Sequence, residues 1–525
     1  MKKAIAILLC LVMLLSCLTA CGKTEDKPAA GNDAPAAGND APAAGNDAGN
    51  DAAEPKRTDL KVQLNAEPTT LDFHNDQTTA RTYIGMNLFA NLLTYDEDGQ
   101  LMGELAETWS HNDDLTEWNF VIKTGAKFSD GSEITVDDVV YSFQRGKDEG
   151  FLADYQKIVA IEALSDTEVK FTLAAPNGRF DHTLANDGWC ILSKAYMESG
   201  ADLTREAAVT SGAYYLDNWT MGTSMTLKAN EGYVLGAPEI KEVECVFIPD
   251  RNTAVVALES KQVDLLTNGS TLNATEVEVI ETFDGVKFVD RPSTSFVVFC
   301  PNFQFAPFSD ANVRKAVDLA IDREYILAML GGTQTAAGII PINEGIGGYL
   351  PGYEPHARDV EAAKALLAES SYPNGFSFKL ITNGSNNVTV CEAIQAQLAD
   401  IGITVEVEQV ADASVIVERI NAGTNEAFVT GYSGVTGDIG SWAGLYGGMF
   451  NGDKGNEYGP MISAADALFG AERDAQLKEA YDLMTEIVPT IGLYWNNGCW
   501  ACDENLNFGI NNILSYLRFR TMSWN

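Results

Sequence analysis

The chain has 525 residues, too many for one hydrophobic core, so two or more lobes are expected. Its formal net charge is −39, from 74 acidic against 35 basic residues, and losing Lys2 and Lys3 with a cleaved leader would make it more negative still. So acidic a chain lacks the Lys/Arg surface that phosphate neutralisation requires, which excludes nucleic acid as a partner; the charge reads as a solvated surface that keeps the chain soluble.

Residues 1–20 have the form of a secretory signal: Lys2-Lys3, an apolar run from Ala4 to Leu15, then small residues. That run is shorter than the ~20 residues a membrane span needs, and no other segment is long and apolar enough. The end, Leu18-Thr19-Ala20-Cys21-Gly22, resembles a lipobox, which implies cleavage before Cys21 and a diacylglycerol on its sulfur. The rival Cys17 follows a poorer match, Leu14-Leu15-Ser16. Residues 21–57 then hold the lipidated Cys and a linker in which AAGNDAP occurs at 29–35 and 36–42, followed by AAGNDA at 43–48. Ala, Gly, Asn and Asp cannot bury a core, so this stretch is expected to be a disordered spacer.

The globular part opens at Asp59, where Leu60, Val62 and Leu64 alternate as one face of a strand. Asp98-Gly99 reads as a hairpin turn; the acidic run before it lacks the later ligands of a calcium loop. Trp118, Phe120 and Ile122 form a second half-buried strand, Asp130-Gly131 a turn, and Thr135 a cap. The helix that follows carries Asp137 and Asp138 in its first turn and Val139, Val140 and Phe143 on its apolar face.

Leu105-Ala106-Glu107-Thr108-Trp109-Ser110, Trp118-x-Phe120 and the run KFSDGSEITVDDVVYSFQR at 127–145 resemble the signature of solute-binding protein family 5. These are the oligopeptide-, dipeptide- and nickel-binding receptors of ABC importers. Ser129 stands where the family often has His, and Glu133 replaces the usual Pro. Further matches are Pro68-x-x-Leu71-Asp72, Ser211-Gly212-Ala213-Tyr214-Tyr215, the helix around Val313 to Arg323, Ala363-Lys364-Ala365-Leu366-Leu367 and Tyr372-Pro373-Asn374-Gly375-Phe376. The resemblance covers nearly the whole chain from Asp59, thinning after Ala427. It implies an α/β fold of the two-lobed periplasmic-binding-protein type, with mixed sheets flanked by helices, an extra N-terminal subdomain and a cleft between the lobes. Lobe I is expected at 58–99, 206–305 and 488–525, the inserted subdomain at 100–205, and lobe II at 306–487.

The resemblance also points to the cleft. The loop after Leu71-Asp72 ends near the ligand in the family, so His74 is either a polar group there or a surface residue. Trp189 lies in another loop that the family brings to the cleft, and Trp495 and Trp500 fall where the chain recrosses to lobe I. Family members that bind peptides have an aromatic, an Asp that captures the ammonium, and a second Asp before Pro. Here the stretch runs from Gly431 to Trp442; without a gap Val435 takes the ammonium position, and with one Asp438 does. Tyr432, Trp442 and Tyr446 are either an apolar pocket or core packing. Asp322 and Arg323 read as structural.

Cys499-Trp500-Ala501-Cys502 has no second cysteine pair or His cluster to make a zinc site, so buried thiols or one structural disulfide are expected and no metal or other cofactor. A hydrolase would need a nucleophile or metal constellation, and neither His-Glu-x-x-His nor Gly-x-Ser-x-Gly occurs. A non-enzymatic, monomeric receptor is therefore expected. It would be lipid-anchored on the extracytoplasmic face of the cell membrane and would hand a small solute to an ABC permease and ATPase. A peptide is favoured; a sugar, an opine or a metal chelate is the alternative.

Overall fold

A computed structural model describes residues 56–525 apart from 76–78, 151, 269–271, 292, 332–333, 341, 411–412, 433–437, 443–456 and 510–516. The leader, Cys21 and the repeat linker lie outside the described residues.

Strand Asp59–Leu64 buries Leu60, Val62 and Leu64 as their alternation predicts, and Gln63 as well. The reason is its place in the sheet: it runs parallel to Glu242–Phe247 on one side and Leu265–Leu266 on the other. Strands with both faces covered lose their polar face. The Gln63 carboxamide is satisfied there, donating to the Ile248 carbonyl at 2.9 Å and accepting from the Asn268 N–H at 2.9 Å. The full sheet of lobe I has seven strands, ordered Val286–Arg291, Gly498–Asp503, Leu265–Leu266, Asp59–Leu64, Glu242–Phe247, Ser224–Ala229, Tyr214–Thr220.

The inserted subdomain is a four-stranded antiparallel sheet ordered Ala106–His111, Glu117–Ile122, Glu168–Leu173, Ile158–Ala163. Trp118, Phe120 and Ile122 face inward with Val169, Phe171 and Leu173. The tight turn closes as expected: Gly131 takes φ +85°, and the Phe128 N–H donates to the Ser132 carbonyl at 2.9 Å. Helix Val136–Glu149 starts with Thr135 as N-cap in a capping box with Asp138, and lays Phe143 4.6 Å from Phe171, ring centre to ring centre. One continuous apolar core joins this subdomain to lobe I.

Lobe II has a six-stranded sheet ordered Thr335–Ala336, Ile491–Trp495, Phe296–Pro301, Ala427–Tyr432, Ser377–Thr382, Thr404–Gln409. Helix Ser385–Ala399 leads through Gly402, at φ +83°, into strand Thr404–Gln409. Asp322 caps helix Arg323–Leu330, and buried Arg323 binds Asp318 and the carbonyls of Ala337 and Gly492.

The lobe boundaries expected at 305/306 and 487/488 need correction. Phe296–Pro301 and Ile491–Trp495 pair with each other and belong to the lobe II sheet. The described residues 293–295 and 496–497 lie where the chain passes between the lobes, and there the Asn496 N–H donates to the Ser295 carbonyl at 2.8 Å. Two short crossovers, tied to each other, connect the lobes.

Candidate functional site

After strand Ala427–Tyr432 the chain returns at Asp438, whose backbone bridges Gly347 and whose neighbour Ile439 packs into the lobe II core. The 3-10 turn Ile439–Trp442 follows, then helix Tyr458–Ala465, with Asp466 at its C-cap, and helix Gly470–Ile487, with Arg473 in its first turn. These elements assemble a group of charges. Both Asp438 oxygens accept from Arg473 Nη2, at 2.8 and 2.9 Å, and Oδ1 also accepts from the Gly440 N–H at 2.7 Å. Asp438 is 1% exposed. Beside this pair, Arg179 of the inserted subdomain places Nε 3.2 Å from Asp466 Oδ1.

Gly440 sits at the centre of the group. A Cβ there would lie 2.4 Å from Asp466 Oδ1, 3.0 Å from Arg179 Nε and 3.2 Å from Asp438 Oδ1. Asp466 Oδ1 and the Nε atoms of Arg179 and Arg473 are buried without a well-directed hydrogen-bond partner. Burial pushes the Asp466 carboxyl up from its ordinary value, with the Asp438 charge adding to it and Arg179 opposing. The Tyr95 phenol, from lobe I, is raised by burial and by the charges of Asp181 and Asp438. All three parts of the fold therefore converge here.

A cavity of about 310 Å³ opens beside the charges, between the inserted subdomain and lobe II. Arg179 and Asp466 line it, with Lys157 and Asp154 adding a second pair and Phe180 and Trp189 an apolar wall. The volume is at the lower end of small-molecule pockets, about 300–1,000 Å³. Trp189 is held by Tyr155, its ring centre 4.2 Å away. Gly188 at φ +85° makes the approach, and its carbonyl accepts from the Tyr155 hydroxyl at 2.6 Å.

The other residues singled out in the sequence are placed differently. Trp495 is buried in the lobe II core against Phe296, and Trp500 in the lobe I core, edge-on to Tyr83. Tyr432 and Trp495 flank Phe296 in register, so their backbones share one row of the sheet. The side chains of Tyr432 and Trp442, and all of Val435 and Tyr446, lie outside the described residues.

His74 is not at the surface: it is 1% exposed and does not line the cavity. Its Nδ1 lies 3.0 Å from Arg145 Nη1 and its Nε2 3.3 Å from the Cys190 carbonyl. Arg145 can only donate, so Nδ1 accepts and the proton sits on Nε2. The same Arg145 donates to both oxygens of Asp72, at 2.9 and 2.6 Å.

Cys499 and Cys502 are buried on opposite faces of one strand, one in the small core behind lobe I and the other in the main core. An i, i+3 pair in a strand points to opposite sides, which rules out a bridge between them. Among the described residues no three His, Cys, Asp or Glu side chains are grouped to hold a metal ion.

Sequence reasoning missed Arg473, Asp466 and Arg179. No local motif carries them: Asp438 and Arg473 are 35 positions apart, and Arg179 comes from another lobe.

A sequence profile described as bacterial extracellular solute-binding proteins, family 5 Middle, matches residues 100–453. The oligopeptide-binding protein AppA of Bacillus subtilis is 28% identical over 498 residues, covering 87% of this chain and 90% of its own. HbpA2 from Haemophilus parasuis superposes with a TM-score of 0.79 at 20% identity, over 89% of this chain and all of the other. AgaA of A. tumefaciens R10, in complex with agropinic acid, superposes with a TM-score of 0.65 at 28% identity, over 89% and 99%.

Proposed function

Because the chain belongs to family 5 of the bacterial extracellular solute-binding proteins, the receptor family of ABC transporters, we propose that it captures a peptide or related small solute outside the membrane. It would then deliver that solute to an ABC permease and ATPase without altering it. The observation that carries this reading is the polar-ended cavity where the inserted subdomain meets lobe II, next to Asp438. Short crossovers at 293–295 and 496–497 support a hinge through which the lobes would close over an occupant. Relatives and neighbours supply the solute classes: AppA is named for oligopeptides and AgaA is seen with agropinic acid. Tyr432, Trp442 and Trp189 are proposed to lie along the solute's path.

Closure on a solute is tested by thermal shift against peptides, sugars and opine-like acids. A ligand at about 100 times its Kd adds about 2.7 kcal/mol of stability. Recovery of a changed product with no thermal shift from any solute would end the receptor reading.

Anchoring is proposed through a diacylglycerol on Cys21, since no helix among the described residues is long and apolar enough to cross a membrane. Cys21→Ser should free the protein from the membrane; unchanged membrane retention of that variant would refute the anchor.

A further inference from the structure

Within that receptor reading, we propose that the Arg179–Asp466 pair, rather than Asp438, reads the charges of the solute, and that the solute is a small zwitterion of amino-acid or dipeptide size. Asp438 is committed elsewhere. Two contacts from Arg473 Nη2 and one from the Gly440 N–H engage its carboxylate, and it is 1% exposed. An ammonium could reach it only by displacing a guanidinium already buried against it.

Arg179 and Asp466 are the reverse. They come from two parts of the fold, their side chains keep 14% and 27% exposure, and both line the cavity. At 3.2 Å the pair is close enough for Coulomb attraction, yet neither Nε nor Oδ1 finds a well-directed hydrogen bond. No hydrogen bond from the Arg179 Nη groups is seen among the described residues, and the pair's closest approach to Asp466 is through Nε. A guanidinium fork with open Nη groups fits a carboxylate with two parallel bonds. A half-buried carboxylate with one orphaned, buried oxygen, its pKa raised by burial, gains most from a donor such as an ammonium.

Charge and size narrow the class. The cavity carries two cations, Lys157 and Arg179, and two anions, Asp154 and Asp466, so a solute bearing one charge of each sign is matched and a diacid is not. At ~30 Å³ per water, the cavity of about 310 Å³ holds about ten waters, which suits a solute of on the order of ten to fifteen non-hydrogen atoms. Phe180 and Trp189 favour an apolar side chain.

The test uses the full-length receptor, calorimetry and capped probes. The set contains the free amino acids, Ala-Leu, its N-acetyl form and its C-terminal amide. Wild type should bind a free zwitterion from this set and lose at least about 30-fold in affinity with either cap, the range for removing one partner of a desolvated charge pair. Asp466→Asn should abolish discrimination against the acetyl form, and Arg179→Gln discrimination against the amide. The wild-type cap ratios need no variant, so a variant that fails to fold does not rescue the idea. Equal affinity for capped and free forms overturns the proposal. So does binding of only a non-zwitterionic solute, which leaves the receptor reading standing. No thermal shift from any solute class would remove both.

Discussion

The inserted subdomain meets its two neighbours in opposite ways. Against lobe I it shares a continuous apolar core, and at the seam Arg145 binds both oxygens of Asp72 while His74 lies edge-on to Tyr155. Against lobe II the described residues show one backbone bond, the Gly178 N–H to the Asp466 carbonyl at 2.6 Å, the ill-directed Arg179–Asp466 pair and an exposed, tilted contact of His111 with Phe469. The first seam excludes water over a wide apolar area and satisfies its charges, so opening it costs the whole burial term. Among the described residues the second holds mostly polar contacts, of a kind that water or solute can replace. One seam welds the subdomain to lobe I, and the other is held by far fewer contacts among the described residues.

Breaking the weld should have the largest effect. Arg145→Met leaves Asp72 buried and unpaired, which costs about 3–5 kcal/mol. Denaturant unfolding measures it, and a loss under ~1 kcal/mol would show that the seam does not depend on this pair. The pH dependence follows from the same contact. Burial alone would raise the Asp72 carboxyl, but the Arg145 hydrogen bonds and charge outweigh it and hold it below its ordinary value. A depressed folded pKa gives stability that is complete above the unfolded value, ~3.9, and is lost as pH falls through the depressed one. Asp72→Asn should therefore differ from wild type at pH 7 and converge with it in strong acid.

Gly440→Ala sharpens the separable side. Its Cβ collides with Asp466 Oδ1 and crowds Arg179 Nε, so it displaces the pair without removing a charge. Overpacking of about 1–3 kcal/mol should emerge as a 5- to 150-fold loss of solute affinity, with the unfolding of lobe I unchanged. An unchanged Kd would mean that these groups do not touch the solute.

The smallest effect is expected for His111→Ala. An aromatic pair contributes about 0.5–1.5 kcal/mol, less when exposed, so apparent affinity should weaken only a few-fold through a less favoured closed state. A large loss of global stability instead would place His111 in the weld.

What could be read from the sequence was what is local. The alternation at Trp118, Phe120 and Ile122, the Thr135 cap and the turn at Gly131 each depend on neighbours within a few residues, and each stands in the structure as expected. The lobe boundaries did not follow, because Phe296–Pro301 and Ile491–Trp495 are buried along their whole length. A strand covered on both faces shows no alternation and carries no mark of the sheet it will join. His74 was illegible for a similar reason: its burial is decided by Arg145, 71 positions away. In the candidate site, Asp438 and Trp189 could be singled out from the resemblance. The charges around them come from three separate segments, and only the folded chain brings them together.

The buried cysteines have a practical consequence. Six described thiols are buried, Cys190 beside the weld, Cys245 and Cys502 in the lobe I core, Cys499 behind it, and Cys300 and Cys391 in lobe II. Burial pushes Cys499 up to about 11 and Cys502 up to about 12, so almost no thiolate is present at neutral pH while the fold is shut. An alkylating reagent can react with each of them only when the surrounding core opens. The native chain thus carries a built-in set of clocks, one or more per core, and the order in which they are modified in a mass spectrum reports which lobe loosens first without any label being engineered in.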